Sequence, residues 1–208
     1  MPDGAHLLAF LGAAVVLAAV PGPGMLYVLA RTLGRGRGAG LRSAAGTALG
    51  GLCHVAGAAI GISALLMASA TAFSVVRYAG AAYLLFLGAR TLLELRAGSR
   101  DEIALETGRE PRLLGQGLLT ELLNPKTALF FLTFLPQFVA PGRGAVALQM
   151  LALGCVSVAL NTGADLVVVA LAGRLGRRLR ERPRWQRRQR ALSGATLITL
   201  GGYAAAGR

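Results

Sequence analysis

Long apolar runs separated by short polar segments dominate the chain. Six are candidate membrane spans, at about 7–30, 44–67, 75–95, 113–139, 145–172 and 191–206, the last being the shortest. Roughly 20 mainly apolar residues cross a hydrocarbon core about 30 Å thick. These runs are apolar around most of the circumference rather than along one stripe, so in water nothing would cover them and lipid must. The pattern predicts an all-α integral membrane protein forming a single membrane domain over 1–208.

Composition agrees: 54% of the 208 residues are hydrophobic and 15% charged, against roughly a quarter charged in soluble domains. A net charge of +13 would suit nucleic-acid binding, but the arginines sit almost entirely between apolar segments. There are four in 31–42, four in 96–112 and nine in 174–190, against Arg143 alone between the fourth and fifth spans. By the positive-inside rule the first, third and fifth connections are cytoplasmic and both termini extracytoplasmic. The 174–190 stretch could also touch anionic lipid or RNA; it is read as a topology determinant beside the headgroups, and no nucleic-acid partner is expected. Asp101, Glu102, Glu106 and Glu110 balance the arginines of 96–112, which reads as a solvated linker. Only Asp3 carries charge before the first run, which therefore lacks the basic start of a secretory signal and is expected to be retained. Cys53 and Cys155 lie inside apolar runs and form neither metal-finger spacing nor a disulfide framework.

Folding the chain at its midpoint exposes an internal repeat. Pro21 and Pro125 are 104 residues apart, as are Gly50 and Gly154, Gly57 and Asn161, and Gly61 and Asp165. Beyond a longer connection in the second half, Gly80-Ala81-Ala82 with Gly88 recurs as Gly194-Ala195-Thr196 with Gly202, the offset now being 114. Three spans per half turn the second copy upside down in the membrane, the inverted plan of many secondary transporters. The first repeat covers about 5–95, the linker 96–112 and the second repeat about 113–206.

Span one is interrupted by Pro21-Gly22-Pro23-Gly24 and span four by Asn124-Pro125-Lys126. Each proline removes a backbone donor and obstructs the carbonyl four residues earlier. The freed groups cannot face lipid and must meet protein, water or cargo. One proline would read as a packing kink; a double break mirrored in the other half points to a transport site. Lys126 is the only lysine among 22 basic residues, roughly a dozen residues from either end of its span. A charge there costs at least about 2.5–3.5 kcal/mol. It either snorkels to the interface or has a partner: Glu121, Asp165 or a substrate carboxylate.

In span two Gly46, Gly50, His54, Gly57 and Gly61 fall within an arc of about 80°, a small-residue face for close helix packing. His54 then points at protein or a cavity, as a proton-coupling group or as a packed histidine bonded to a neighbouring carbonyl. In span five Gly154, Ser157, Asn161 and Asp165 form a polar seam, with Asp165 the acid expected to face the interior, for function or in a structural ion pair. Tyr83, Arg90 and Glu94 follow the helical spacing of span three, where the Arg90–Glu94 pair reads as structural. No phosphate-binding Gly-x-x-x-x-Gly-Lys-Ser/Thr loop occurs, so the chain has no nucleotide-powered motif of its own. Neither a Gly-x-Ser-x-Gly elbow nor a His-Glu-x-x-His helix is present.

Along nearly its whole length the chain resembles the lysine exporter family, the LysE/RhtB-type translocators. The resemblance rests on Val20-Pro21-Gly22-Pro23, on Gly80-Ala81-Ala82-Tyr83-Leu84 with Leu87-Gly88, and on Leu123-Asn124-Pro125-Lys126 followed by Phe130-Phe131 and Leu135-Pro136-Gln137-Phe138. It implies a multi-pass bacterial inner-membrane exporter of amino acids or their derivatives, driven by a proton gradient or membrane potential and needing no cofactor. The implied partners are an amino-acid-like small molecule, the bilayer and a coupling proton, and a homo-oligomer is admitted. The cargo is not identified, because members share these motifs across different substrates. Glu121 departs from the uncharged polar residue that many relatives carry, a change that bears on cargo charge preference or proton coupling. Two alternatives stay open. One is a divalent metal exporter with Cys53, His54, Cys155 and Asp165 as ligands, although Cys53 points about 100° away from His54 on an ideal helix. The other is a membrane-embedded enzyme with His54 as base, for which no nucleophile or orienting partner is evident.

Overall fold

A computed structural model describes residues 4–62, 69–96 and 112–180, with scattered helical positions between 191 and 206. Span one is two helices, α1 (Gly4–Ala19) and α2 (Pro23–Arg35). Span two is α3 (Arg37–Gly57), continued by a π turn over Ala58–Ile62. Span three is α4 (Ala70–Arg96). Span four is again divided, into α5 (Leu113–Leu122) and α6 (Pro125–Leu129), the latter extended by a π turn (Phe130–Phe134) and a 3-10 turn (Leu135–Phe138). Span five is α7 (Val146–Arg180). The described residues include no strand, and the chain is an all-α membrane protein.

The prolines set both divisions. Pro23 and Pro125 open α2 and α6, where a missing amide costs nothing and the fixed φ suits a helix start. The ladders restart with Leu26 N donating to Gly22 O (2.9 Å) and Ala128 N to Asn124 O (3.0 Å). The halves of span one bend by 43° and those of span four by 47°. Among the described residues, Arg37–Gly61 and Val146–Ala172 are long and apolar enough to cross a membrane alone, and each bent pair can add one span. For the sixth span, Gly194 is placed against α4: a Cβ on Gly88 would lie 2.7 Å from its carbonyl oxygen.

Several boundaries differ from the sequence reading. The basic stretch 31–42, expected as a loop, is two helix ends joined at Gly36 (φ 86°, ψ 179°), a backbone region open essentially to glycine alone. The basic segment 174–190 begins as helix, because α7 runs on to Arg180. The remainder of that segment, 97–111 and the Glu94 side chain lie outside the described residues. The glycine face of span two packs over only half its length. A Cβ on Gly50 would lie 2.8 Å from Leu118 O, and one on Gly117 of the facing helix 2.6 Å from Ser43 O, whereas Gly57 and Gly61 meet nothing within 4 Å. The π turn after Gly57 also changes the helical register that placed Gly61 on that face.

An aromatic cluster forms the core on one side of the breaks. Phe10 of α1 meets Phe138 edge-on (5.5 Å), and Phe134 lies between Phe138 (5.1 Å) and Phe130 (5.3 Å). Leu135, Met150 and Leu153 complete the packing. Leu8, Val16, Ile60, Leu123, Leu148 and Val167 are exposed around the outside, the surface a lipid solvent requires.

Candidate transport site

The two breaks face each other across one cavity, and the second supplies the donor that the first lacks. In a continuous helix residue 21 would donate to the carbonyl of Leu17; Pro21 has no proton to give. Lys126 Nζ supplies it, donating to Leu17 O at 2.7 Å and to Val20 O at 2.6 Å. Lys126 is 9% exposed, so its ammonium does not snorkel out. Both bonds run to carbonyls rather than to the carboxylate partners weighed from the sequence, and among the described residues no ion pair joins it to Glu121 or Asp165.

The second break follows the same logic with different chemistry. Pro125 deprives Glu121 O of its donor, and His54 Nε2 lies 3.0 Å from that oxygen. A carbonyl only accepts, so Nε2 carries the proton in this bond. The ring also stacks on Phe131 at 6.0 Å, nearly parallel. His54 is thus the carbonyl-bonded packed histidine of the two readings, and it stands behind the cavity wall rather than in it. Leu17 and Glu121 are 104 residues apart, and each oxygen, having lost its helical donor to a proline, receives a side-chain donor from the opposite half, Glu121 O also accepting from Asn124 N (3.1 Å).

The Glu121 carboxylate accepts from Thr127 Oγ1 (2.6 Å) and Asn124 Nδ2 (3.2 Å). Asn124 also caps α6, its Oδ1 accepting from Lys126 N (3.1 Å). Glycines at 22 and 24 let span one approach this assembly. A Cβ on Gly22 would sit 3.2 Å from Lys126 Cδ, and one on Gly24 would press on the Glu121 carboxylate. Because α2 starts at Pro23, the amides of Gly24 and Met25 have no acceptor within their own helix, and the positive end of that helix lies beside the acid.

A narrow, partly open cavity lies where the breaks meet. Lys126, Glu121, Asn124, Asn161, Asp165 and Gly22 supply polar groups, and Met25, Ala48, Phe131 and Val158 supply apolar wall. Pro21, Pro23, Gly24 and Pro125 shape it from behind. Asp165 is 6% exposed, with Thr47 Oγ1 3.0 Å from its Oδ2. Asn161 Nδ2 donates to Ser157 O (2.9 Å). Thr47 and Thr127 were missed in the sequence. Thr47 falls just outside the glycine arc of span two, and Thr127 directly follows the break motif. Cys53 and Cys155 are free and exposed, and the described residues hold no group of three potential metal ligands.

Residues 15–207 match the model of the LysE type translocator family. The chain belongs to that family. A protein of Vibrio cholerae serotype O1, described as an uncharacterized membrane protein, is 33% identical to this translocator over 194 residues, 93% of each chain. A second uncharacterized membrane protein, from Pseudomonas aeruginosa, is 34% identical over 181 residues, 85% of this chain and 81% of its own. The leucine efflux protein of Salmonella typhimurium is 34% identical over 141 residues, 65% of each chain. No solved structure matches the chain significantly. A LysE-type translocator is a membrane-embedded transporter, which accords with a polar cavity inside an apolar-surfaced helix bundle.

Proposed function

We propose that this translocator is a secondary exporter of amino acids or close derivatives from the bacterial cytoplasm, working by alternating access and driven by a proton gradient or the membrane potential. One observation carries the reading: the cavity between the broken helices presents an ammonium, Lys126, and two carboxylates, Glu121 and Asp165, above an apolar wall. A zwitterion with a small or medium apolar side chain complements that set. Its carboxylate takes the open side of Lys126 and the start of α2, its ammonium takes an acid, and its side chain lies against Met25, Ala48 and Val158. The leucine efflux relative supports this cargo class. The paired bends and reciprocal caps support two inverted repeats, and the arginine distribution supports both termini outside the cytoplasm of a cell with this chain in its inner membrane. The phenylalanine cluster then seals one end of the path, and alternation consists of one half rocking against the other.

Reconstituted protein loaded with unlabelled amino acids should accumulate external labelled amino acid by counterflow, leucine being tested first. Silence across all twenty and their lactones overturns the reading. Orientation is tested separately by a cysteine at Ala206 in a chain lacking Cys53 and Cys155: an impermeant thiol reagent should label it in intact cells, and labelling only after lysis reverses the topology.

A further inference from the structure

We propose that Asp165 is the exchange site itself, holding either a proton or the cargo's ammonium but never both, so that one carboxylate couples export to proton entry. This rests on the exporter reading and names the group that performs its coupling. The geometry that carries it is a count of protons on one hydroxyl. Thr47 Oγ1 lies 3.0 Å from Asp165 Oδ2 and 2.9 Å from Ala44 O. A hydroxyl has one proton to donate, and the Ala44 carbonyl has none. A single proton shared between two acceptors gives two weakened bonds, so both reach full strength together only when Asp165 carries a proton: Asp165 O–H donates to Thr47, and Thr47 O–H donates to Ala44 O. When Asp165 is ionised, Thr47 must turn its single proton from Ala44 O to the carboxylate. Thr47 is therefore a relay with two settings, one per protonation state, and neither setting leaves the acid without a partner.

The surroundings give this switch its use. Asp165 lines the cavity and is otherwise buried, where an ionised carboxylate with a single donor is costly and a cation is in demand. The charged groups facing it are those of span four: Lys126, whose ammonium is held by Leu17 O and Val20 O, and Glu121, already bonded to Thr127 and Asn124. On α2 the Arg31 guanidinium donates to Gln116 (3.2 Å). On α3 His54 is turned to Glu121 O, and Arg37 reaches Ala170 O (3.2 Å), more than a turn further along α7. The side chains of α1 from Phe10 to Ala19 are apolar. Asp165 is thus the cavity acid with room for a cation. The step balances as Asp165–COOH plus cargo ammonium giving Asp165–COO⁻ paired to that ammonium plus one proton released to the cytoplasm; the proton taken up on the far side displaces the cargo.

The test uses purified full-length chain and the amino acid giving the largest counterflow, with leucine first. Adding it to wild type in weak buffer should release close to one proton per cargo bound, and its affinity should weaken about tenfold per pH unit once Asp165 is protonated. Asp165→Asn should bind at least about tenfold more weakly, release no proton and lose the pH dependence. Proton release and pH dependence unchanged in Asp165→Asn would overturn the proposal while leaving the exporter reading intact; no counterflow in wild type would overturn the exporter reading first. Thr47 serves if Asp165→Asn does not fold. Thr47→Val should move the pH midpoint of cargo binding by about half a unit or more, and Thr47→Ser should leave it in place. Equal profiles in the two Thr47 variants would likewise overturn the proposal.

Discussion

The two breaks solve one problem with unlike side chains. At the first, a charged ammonium spans two carbonyls of α1 and still lines the cavity. At the second, an imidazole caps a single carbonyl from behind, braced on Phe131. Hydrogen bonds from charged groups contribute about 1.5–3 kcal/mol and neutral ones about 0.5–1.5. The difference makes the first cap the stronger of the two, and its lysine is the one that lines the cavity. It also teaches that the hydrogen bonds of a buried ammonium can run to backbone carbonyls, provided a proline has emptied one for it.

The strongest way to break this comparison is Lys126→Gln, which removes two charge-assisted bonds and the cavity's only ammonium. Export should fall at least about 100-fold, near 2.7 kcal/mol, with membrane insertion retained. Lys126→Arg should restore little, since a planar fork does not reproduce a compact ammonium. Adding Glu121→Gln or Asp165→Asn should bring no recovery, because the lysine's bonds run to carbonyls; recovery in counterflow would show that an ion pair was the essential element.

Next in size is the double variant Pro21→Ala, Pro23→Ala. It gives amides back to Leu17 O and Ala19 O, letting α1 and α2 run together and displacing Lys126. Export should drop by about 10–100-fold in protein that still inserts, and undiminished counterflow would reduce the prolines to packing kinks. A smaller loss, about 5–10-fold, is expected for His54→Ala, which leaves Glu121 O with the donor Asn124 N. His54→Gln, retaining an N–H, should recover most of it; equal losses would mean that the ring rather than the bond matters. Smallest is the glycine pair. Gly22→Ala meets the flexible middle of Lys126 and should change export by no more than about threefold, while Gly24→Ala, pressing on the Glu121 carboxylate, should cost more.

The breaks were legible because proline acts locally: the lost amide and the orphaned carbonyl follow from residues 21 and 125 without knowledge of the fold. What repairs them was not legible. Lys126 and Leu17 are 109 residues apart, and His54 and Glu121 67 apart, so the caps exist only once helices have packed. Sequence reasoning paired the lysine with carboxylates because charge invites charge; it overlooked that a proline upstream creates an acceptor of its own. Asp165 was placed inward by the seam of span five, whereas Thr47, its relay, lay at the margin of a stripe recognised for its glycines. The connection at 31–42 was misread for a related reason. Arginine density marks which side of the membrane a segment occupies but says nothing against helix, and the single residue that turns the chain, Gly36, is one glycine among 29.

The caps also differ in when they become available during synthesis. His54 has already been made when Glu121 and Pro125 leave the ribosome, so the second break can close as soon as it enters the membrane. Leu17 and Val20 must wait for Lys126, which at about 5–20 residues per second means a gap of roughly 5–20 s. Throughout that interval the first span has two bare carbonyls that lipid cannot satisfy, and water has to accompany them. The newborn N-terminal half is therefore a wet, incomplete wall until the one lysine arrives to cap it.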